Sequence, residues 1–323
     1  MDYVPFGSTG IKVSQLCYGT MSFGGDADEA EAGRLYKACR DAGINFFDTA
    51  NVYSKGKSEE ILGRLIKGER DQVVISSKGF GAMSEAVNDR GANRRNIALA
   101  VEASLKRLGT DRLDVYFMHM WDAETPLEET LRGLEKLVAD GKVLYLGASN
   151  YAAWQIAKAL GISDRCGWPR FDVLQPMYNL VKRQVETEIL PLAMAEGLAV
   201  MPYSPLGGGM LSGKYAGGAK PEGARHVALD MYAKRYEDAW MHEVATDYTA
   251  FCSERGLNPV STAVAWVGAH EGVTCPIIGA RNVAQLKPSL AAADVNMTPK
   301  LRAEISALSR APAIATDRSE EVG

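Results

Sequence analysis

Eight strand-length apolar runs alternate with amphipathic helical segments along this chain, and the first run is not followed by a G-x-G-x-x-G signature. A Rossmann-type dinucleotide fold therefore lacks its main signal. An alternation sustained over about 300 residues fits a closed parallel sheet better than an open one. The predicted class is α/β: a single (β/α)8 TIM barrel spanning residues 1–323, with an N-terminal β-hairpin and a C-terminal extra helix.

The elements follow in order. Gly7-Ser8-Thr9-Gly10 lies between two short alternating segments, which predicts the hairpin. Leu16 to Thr20 is the first barrel strand, and Leu35, Cys39 and Ala42 mark a helix that Gly43 closes. Asn45 to Ala50 is the second strand, and Ser58 to Leu62 opens the next helix. Val73 to Lys78 and Leu113 to His119 are the third and fourth strands, separated by a helical face of Ile97, Val101, Leu105 and Leu108. Thr125-Pro126-Leu127-Glu128 reads as a capping box with proline at the first helical position. Its core stripe is Leu127, Leu131, Leu134 and Val138, closed by Gly141.

Val143 to Asn150, Phe171 to Gln175 and Leu198 to Tyr203 supply strands five to seven. Helices over Trp154 to Leu160 and through Ile189 and Leu192 separate them. The eighth strand, Val273 to Ile278, comes after a long interval. Within that interval Gly207 to Arg235, rich in glycine and lysine, reads as an insertion beside the barrel mouth and not as a second domain. The last helix opens at Thr298-Pro299 and carries Leu301, Ile305 and Leu308; Ala311 to Gly323 reads as a loosely held tail.

Composition narrows the function classes. Hydrophobic residues make up 46% and charged residues 24% of the chain, ordinary for a soluble globular protein with a sizeable core. A net charge of -4 argues against nucleic-acid or anionic-membrane partners, which demand a basic footprint. No apolar run approaches the roughly 20 residues that span a bilayer. Met1-Asp2-Tyr3-Val4-Pro5 has neither the basic nor the apolar part of a secretory signal. Cysteines 17, 39, 166, 252 and 275 are scattered and contain no C-x-x-C, the pattern of reduced cytosolic thiols. Four histidines without H-E-x-x-H make a protein-built zinc site improbable. The chain reads as cytoplasmic and metal-free, with no oligomeric state assigned.

In such a barrel, residues at the C-terminal ends of the strands face the active site. Those ends carry Asp48, Lys78, His119, Ser149, Asn150, Gln175 and Tyr203, and Tyr53 lies on the loop five residues past Asp48. Taken singly, each has a plain reading. Asp48 caps a loop, Tyr53 is a packed aromatic, Lys78 snorkels to solvent and His119 is a hydrogen-bonded core histidine. Together they converge on one mouth. A phenol whose ordinary pKa is about 10 becomes a better acid beside an ammonium, and an aspartate keeps that ammonium charged.

The chain also resembles the aldo-keto reductases, nearest their branch around the potassium-channel beta-subunit. The resemblance covers nearly the whole sequence. It is carried by Phe47-Asp48-Thr49-Ala50-x-x-Tyr53, Ser76-Ser77-Lys78, Tyr116-Phe117-Met118-His119 and Gly147-Ala148-Ser149-Asn150. It continues in Ser204-Pro205-Leu206-Gly207-Gly208-Gly209, Leu211-Ser212-Gly213-Lys214-Tyr215 and Ile278-Gly279-Ala280-Arg281. The resemblance implies a catalytic tetrad of Asp48, Tyr53, Lys78 and His119, with Tyr53 as proton donor and His119 orienting a substrate carbonyl.

It implies NADP(H) as cofactor, with Ser149, Asn150 and Gln175 on the carboxamide and Tyr203 stacked on the nicotinamide. Gly19, Thr20 and Met21 would join them at the same mouth, as would Asp48. The backbone of Ser204, Pro205, Leu206, Gly207 and Gly208 would approach the pyrophosphate, with Lys214 and Arg225 adding positive charge. Ile278, Gly279 and Arg281 would meet the adenosine end, Arg281 on the 2'-phosphate, with Gln285 and Ser289 near the adenine. Pro288 and Ser289 depart from the Glu and Asn usual in that branch. For the substrate, a small-molecule carbonyl compound, Phe80, Met83, Trp121 and Tyr232 are candidate lining residues that read equally well as packing.

Two other functions fit parts of the pattern. Lys78 reads as a Schiff-base nucleophile in a barrel aldolase, although an aspartate partner would keep it charged. The channel-subunit resemblance allows an NADP-binding regulatory subunit with little turnover.

Overall fold

The computed structural model describes residues 1–215 and 230–316. Strands β1 (Tyr3–Pro5) and β2 (Lys12–Ser14) form the antiparallel hairpin. Eight more strands make one parallel sheet: β3 (Cys17–Gly19), β4 (Phe46–Asp48), β5 (Val74–Gly79), β6 (Leu113–Met118), β7 (Val143–Ser149), β8 (Phe171–Gln175), β9 (Ala199–Val200) and β10 (Ile277–Ile278). They lie in the order β10-β3-β4-β5-β6-β7-β8-β9. The two ends meet, because Thr274 N donates to Val200 O at 2.8 Å and Ile277 N to Pro202 O at 2.9 Å. The predicted barrel is thus observed. Its seventh and eighth strands are shorter than the apolar runs that predicted them.

Side chains alternate across a strand, so each strand feeds two cores. Phe47, Ile75, Tyr116, Met118, Leu146 and Leu174 point outward under the helices. Phe46, Val115, Phe117, Val173, Ala199, Met201, Cys275 and Ile277 fill the barrel, and Phe6 and Val13 of the hairpin plug one end. Phe6 meets Phe46 edge-on at 5.3 Å. Gly147 is required beside this packing, since a Cβ there would stand 2.3 Å from the Phe117 ring.

On six of the strand segments, going two residues beyond an inward-facing residue reaches the opposite mouth. Phe46 leads to Asp48, Ser76 to Lys78, Phe117 to His119, Gly147 to Ser149, Val173 to Gln175 and Met201 to Tyr203. The same apolar alternation that builds the core therefore gathers the polar strand ends.

Helices α1 (Glu29–Asp41), α2 (Lys57–Ile66), α3 (Arg94–Leu108), α4 (Leu127–Ala139), α5 (Ala153–Cys166) and α6 (Ile189–Glu196) lie between successive strands. The interval before β10 holds α7 (Asp230–Arg235), α8 (Ala239–Glu254) and α9 (Pro259–Gly268). After β10 come α10 (Val283–Leu290) and the extra helix α11 (Pro299–Ser306). Residues 216–229 of the expected insertion and 317–323 of the expected tail lie outside the described residues.

The capping box at α4 is not formed. Thr125 Oγ1 donates to Asp122 Oδ2 at 2.7 Å, Pro126 takes the N-cap position and no side chain caps the helix. Asp122 also accepts from Ala92 N and Glu124 N, so the threonine completes an aspartate-centred turn. On the same helix Leu137, not Val138, is the buried residue of the last turn.

Among the described residues, a cavity of about 710 Å3 opens beside the hairpin, lined by Gly7, Ser8, Gly197, Ala265, Glu271 and Pro276 among others. None of the polar strand ends contributes to it.

Candidate active site

Asp48 and Lys78 stand on neighbouring strands and are both buried. Lys78 Nζ donates to Asp48 Oδ2 at 2.5 Å and to the Thr49 carbonyl at 2.7 Å. The other carboxylate oxygen accepts from Ser76 Oγ at 2.7 Å and from Gln175 Nε2 at 3.0 Å. Burial opposes the lysine's charge, but Asp48 overcomes it and holds the pKa above the ordinary value. Lys78 is therefore held as an ammonium, which speaks against a Schiff-base role, since that nucleophile must be neutral.

Tyr53 begins a short turn, Tyr53–Gly56, between β4 and α2, in which Ser54 and Lys55 leave helical backbone. Its hydroxyl lies 3.3 Å from Lys78 Nζ, and its ring faces His119 edge-on at 6.1 Å. The expectation that Lys78 lowers the phenol's pKa is corrected in its net direction. Burial pushes Tyr53 up and outweighs the downward pull of Lys78, and the Asp48 charge adds to the rise. The phenol thus carries its proton at neutral pH, with an ammonium beside it to receive the charge when that proton leaves. His119 is held down to about 3 by burial and by the Lys78 ammonium, so the imidazole is neutral.

Around this centre lie most of the expected cofactor groups. Ser149 Oγ donates to the Gln175 carbonyl at 2.9 Å. Asn150 takes a left-handed backbone (φ 59°), bonds the His119 carbonyl through Nδ2 at 2.9 Å and accepts from the Tyr203 hydroxyl at 2.7 Å. Asparagine is among the few side chains that tolerate this conformation. Thr20 is buried and donates to the Asp48 carbonyl, whereas Met21 is exposed. Gly19 lies so near Ile277 that a Cβ would stand 2.8 Å from its Cγ2.

After Tyr203 the chain turns through Ser204 (φ 58°), Pro205 and Leu206 into three successive glycines, Gly207, Gly208 and Gly209, all with positive φ. The Lys214 ammonium reaches back over this turn, 2.6 Å from where a Cβ on Gly209 would be. Ser22 Oγ and the Tyr18 hydroxyl both bond the Ala280 carbonyl, fixing the turn that follows Ile278 and Gly279. Gln285 accepts from Arg281 N at 3.3 Å, while Ser289 is buried on the inner side of α10. Arg225 lies outside the described residues.

Two acids at this end escaped the sequence reading. Asp26 pairs with Arg281 at 3.8 Å, and Glu31 accepts from Val283 N, the first amide of α10, at 3.0 Å. Neither sits in a recognisable string; only the fold brings α1 beside α10. Ser76 was also missed as an Asp48 ligand, although its place two residues before Lys78 puts it on the same face.

Of the expected substrate residues, Tyr232 is buried and lies near Tyr53 and Tyr203, whose phenols are pushed up chiefly by burial. Trp121 is half-buried and packs edge-on against Tyr151 (5.3 Å) and the exposed Trp154 (5.8 Å). Phe80 and Met83 are half-buried on the loop after β5.

The Aldo/keto reductase family profile matches residues 15–310. A probable voltage-gated potassium channel subunit beta of Oryza sativa subsp. japonica is 37% identical over 95% of this chain and 96% of its own length. An uncharacterized oxidoreductase of Bacillus subtilis is 37% identical over 93% of this chain and 94% of its own. A putative aryl-alcohol dehydrogenase of Schizosaccharomyces pombe is 33% identical, covering 92% of each. Among the described residues no helix is long and apolar enough to cross a membrane. With the family profile over most of its length and a proton-loaded tyrosine beside a charged lysine, the chain belongs to the aldo/keto reductase family and is a nicotinamide-dependent oxidoreductase of carbonyl groups.

Proposed function

We propose that the protein is an NADP(H)-dependent reductase of aldehydes or ketones, reversible toward alcohol oxidation, in which Tyr53 delivers the proton. The observation that carries this reading is Lys78 Nζ bridging Asp48 at 2.5 Å and the Tyr53 hydroxyl at 3.3 Å. A bound nicotinamide supplies the hydride. The Tyr53 hydroxyl gives its proton to the carbonyl oxygen as charge develops there, and Lys78 stabilises the phenolate left behind. Neutral His119 holds the same oxygen through a hydrogen bond and fixes its direction. Asp48, with Ser76 and Gln175 on its second oxygen, keeps Lys78 charged and in place.

The residues present fit such a cofactor. Tyr203 offers a partly exposed ring held by Asn150. The glycines of the turn at Gly207, Gly208 and Gly209 would let a phosphate approach the backbone closely, and Lys214 lies over the turn. Arg281 next to the N-terminus of α10 favours a 2'-phosphate and hence NADP(H) over NAD(H). Asp26 and Glu31 occupy donors at that same end, so this preference is set against two carboxylates. The aromatic group of Trp121, Tyr151 and Trp154 beyond His119 supports a substrate with an aromatic or otherwise apolar body, as does the aryl-alcohol name of one relative.

The test is fluorescence titration with NADPH and NADH, followed by NADPH oxidation with aromatic aldehydes and bulky ketones. NADPH binding with turnover supports the reductase. Binding without turnover across the panel would move the reading to a regulatory nucleotide-binding subunit.

A further inference from the structure

Directly after Tyr53, three consecutive residues adopt left-handed backbone: Ser54 (φ 48°), Lys55 (φ 53°) and Gly56 (φ 90°). Two of them carry side chains, for which this conformation is unfavourable. Such strain persists only where the surroundings enforce it, and it gathers at functional sites. Here the enforcement comes from two directions. Ser54 Oγ donates to the Phe23 carbonyl at 2.9 Å. Arg107 of α3 lies so close over Gly56 that a Cβ there would stand 2.7 Å from its Cδ.

Arg107 also donates from Nε to Glu59 Oε2 at 2.6 Å. Glu59 is fully buried in the first turn of α2, and its other oxygen accepts from Ser77 Oγ at 2.5 Å. Ser77 is the residue before Lys78 and points outward where Lys78 points inward. On the far side of Lys78, the Tyr116 hydroxyl, which has no hydrogen-bond partner among the described residues, presses on Gly79 2.1 Å from where a Cβ would be. Helices α2 and α3 come close enough for all this because Gly63 sits against the backbone of Leu108. A continuous line of contacts thus runs behind the barrel wall. It leads from the Tyr53 turn through Arg107, Glu59 and Ser77 to the backbone of Lys78.

A buried ion pair is an expensive way to fill space, since apolar residues of similar volume often serve stability as well or better. What the pair adds is direction. We propose that Glu59 and Arg107 are positioning residues, whose buried ion pair couples the strained Tyr53 turn to the Lys78 strand and so sets the contact between the Tyr53 hydroxyl and the Lys78 ammonium. The inference rests on Tyr53 being the proton donor.

Arg107→Ala, Glu59→Gln and Arg107→Lys are to be assayed for NADPH affinity and for kcat per NADPH-binding site, so that misfolded protein does not count. Arg107→Ala and Glu59→Gln are expected to lower kcat per site about 100-fold, the scale of a 1 Å misplacement. NADPH affinity stays unchanged, the solvent deuterium isotope effect on kcat rises as proton transfer becomes limiting, and Arg107→Lys recovers most of the rate. Gly56→Ala displaces Arg107 while leaving both charges, and should give the same signature if the alanine or glutamine variants fail to fold. A lowered thermal midpoint with wild-type kcat per site and isotope effect in these variants would overturn the inference. That result beside an inactive Tyr53→Phe leaves the proton donor standing and removes only the positioning role. Wild-type turnover in Tyr53→Phe removes both.

Discussion

Asp48→Asn changes almost no volume and deletes one charge from a buried pair, so its cost can be worked through. The carboxylate accepts from Lys78, Ser76 and Gln175. Asparagine keeps one acceptor and turns an NH2 toward a group that is itself a donor. Lys78 is left as a buried ammonium with only the Thr49 carbonyl and the Tyr53 hydroxyl. Removing one partner of a buried ion pair costs about 3–5 kcal/mol.

Lys78 can escape by releasing its proton, which sets a ceiling. Starting from an unfolded pKa of about 10.4, that release costs about 4.6 kcal/mol at pH 7 and about 1.9 kcal/mol at pH 9. The sign follows from the direction of each shift. In the wild type the Lys78 pKa is raised, so its stabilisation is fully present at both pH values. In the variant it is depressed, so stability recovers as pH rises toward the unfolded pKa.

Urea unfolding should therefore give a loss of about 3–4.5 kcal/mol at pH 7 that shrinks below about 2 kcal/mol at pH 9, with m unchanged. A loss under about 1 kcal/mol at pH 7, or one that does not shrink at pH 9, would refute the buried-pair argument.

Three further outcomes follow from the site. His119, held down to about 3, stays neutral from pH 5 to 8, so kcat for carbonyl reduction should show no limb near 6.5. A limb there that disappears in His119→Gln would contradict a neutral imidazole. Arg281→Ala should weaken NADPH binding about tenfold or more, at about 1.5–3 kcal/mol for a charge-assisted bond, with little change for NADH. Glu31→Gln should act oppositely and tighten NADPH alone, because it removes the carboxylate from the first amide of α10. Equal shifts for both nucleotides in isothermal titration would count against the 2'-phosphate assignment. Gly208→Ala forces a side chain to φ 66°, costing about 1–2 kcal/mol, and should weaken both nucleotides together.

The barrel was legible because its strands repeat one rule, an inward apolar residue followed two positions later by a polar strand end. Phe46 with Asp48, Phe117 with His119 and Val173 with Gln175 are instances that a single sequence displays. Helix α9 was harder to read. It buries Ser261, Thr262, Ala263, Val264, Trp266 and Val267, so little amphipathic contrast marks it. The capping box failed for another reason: Asp122 competes for Thr125, and a local motif cannot register a neighbour already saturated with backbone donors.

Within the site, the convergence of Asp48, Tyr53, Lys78 and His119 on one mouth was legible and the electrostatic balance was not. A lysine nearby predicts a lowered phenol pKa, but burial of the hydroxyl reverses the sign, and burial is a property of the closed fold. Asp26, Glu31, Glu59 and Arg107 were silent for the same reason. Their partners lie between 18 and 255 positions away in the chain, and only packing of α1 on α10 and of α2 on α3 brings them together.

The most direct test of the account is Tyr53→Phe, measured for NADPH binding and for NADPH-dependent reduction of a reactive aromatic aldehyde. NADPH affinity should stay close to wild type and nearly all turnover should be lost, since the ring stays and only the proton is removed. Retained turnover, or lost turnover that simply tracks lost NADPH affinity, would contradict Tyr53 as the proton donor.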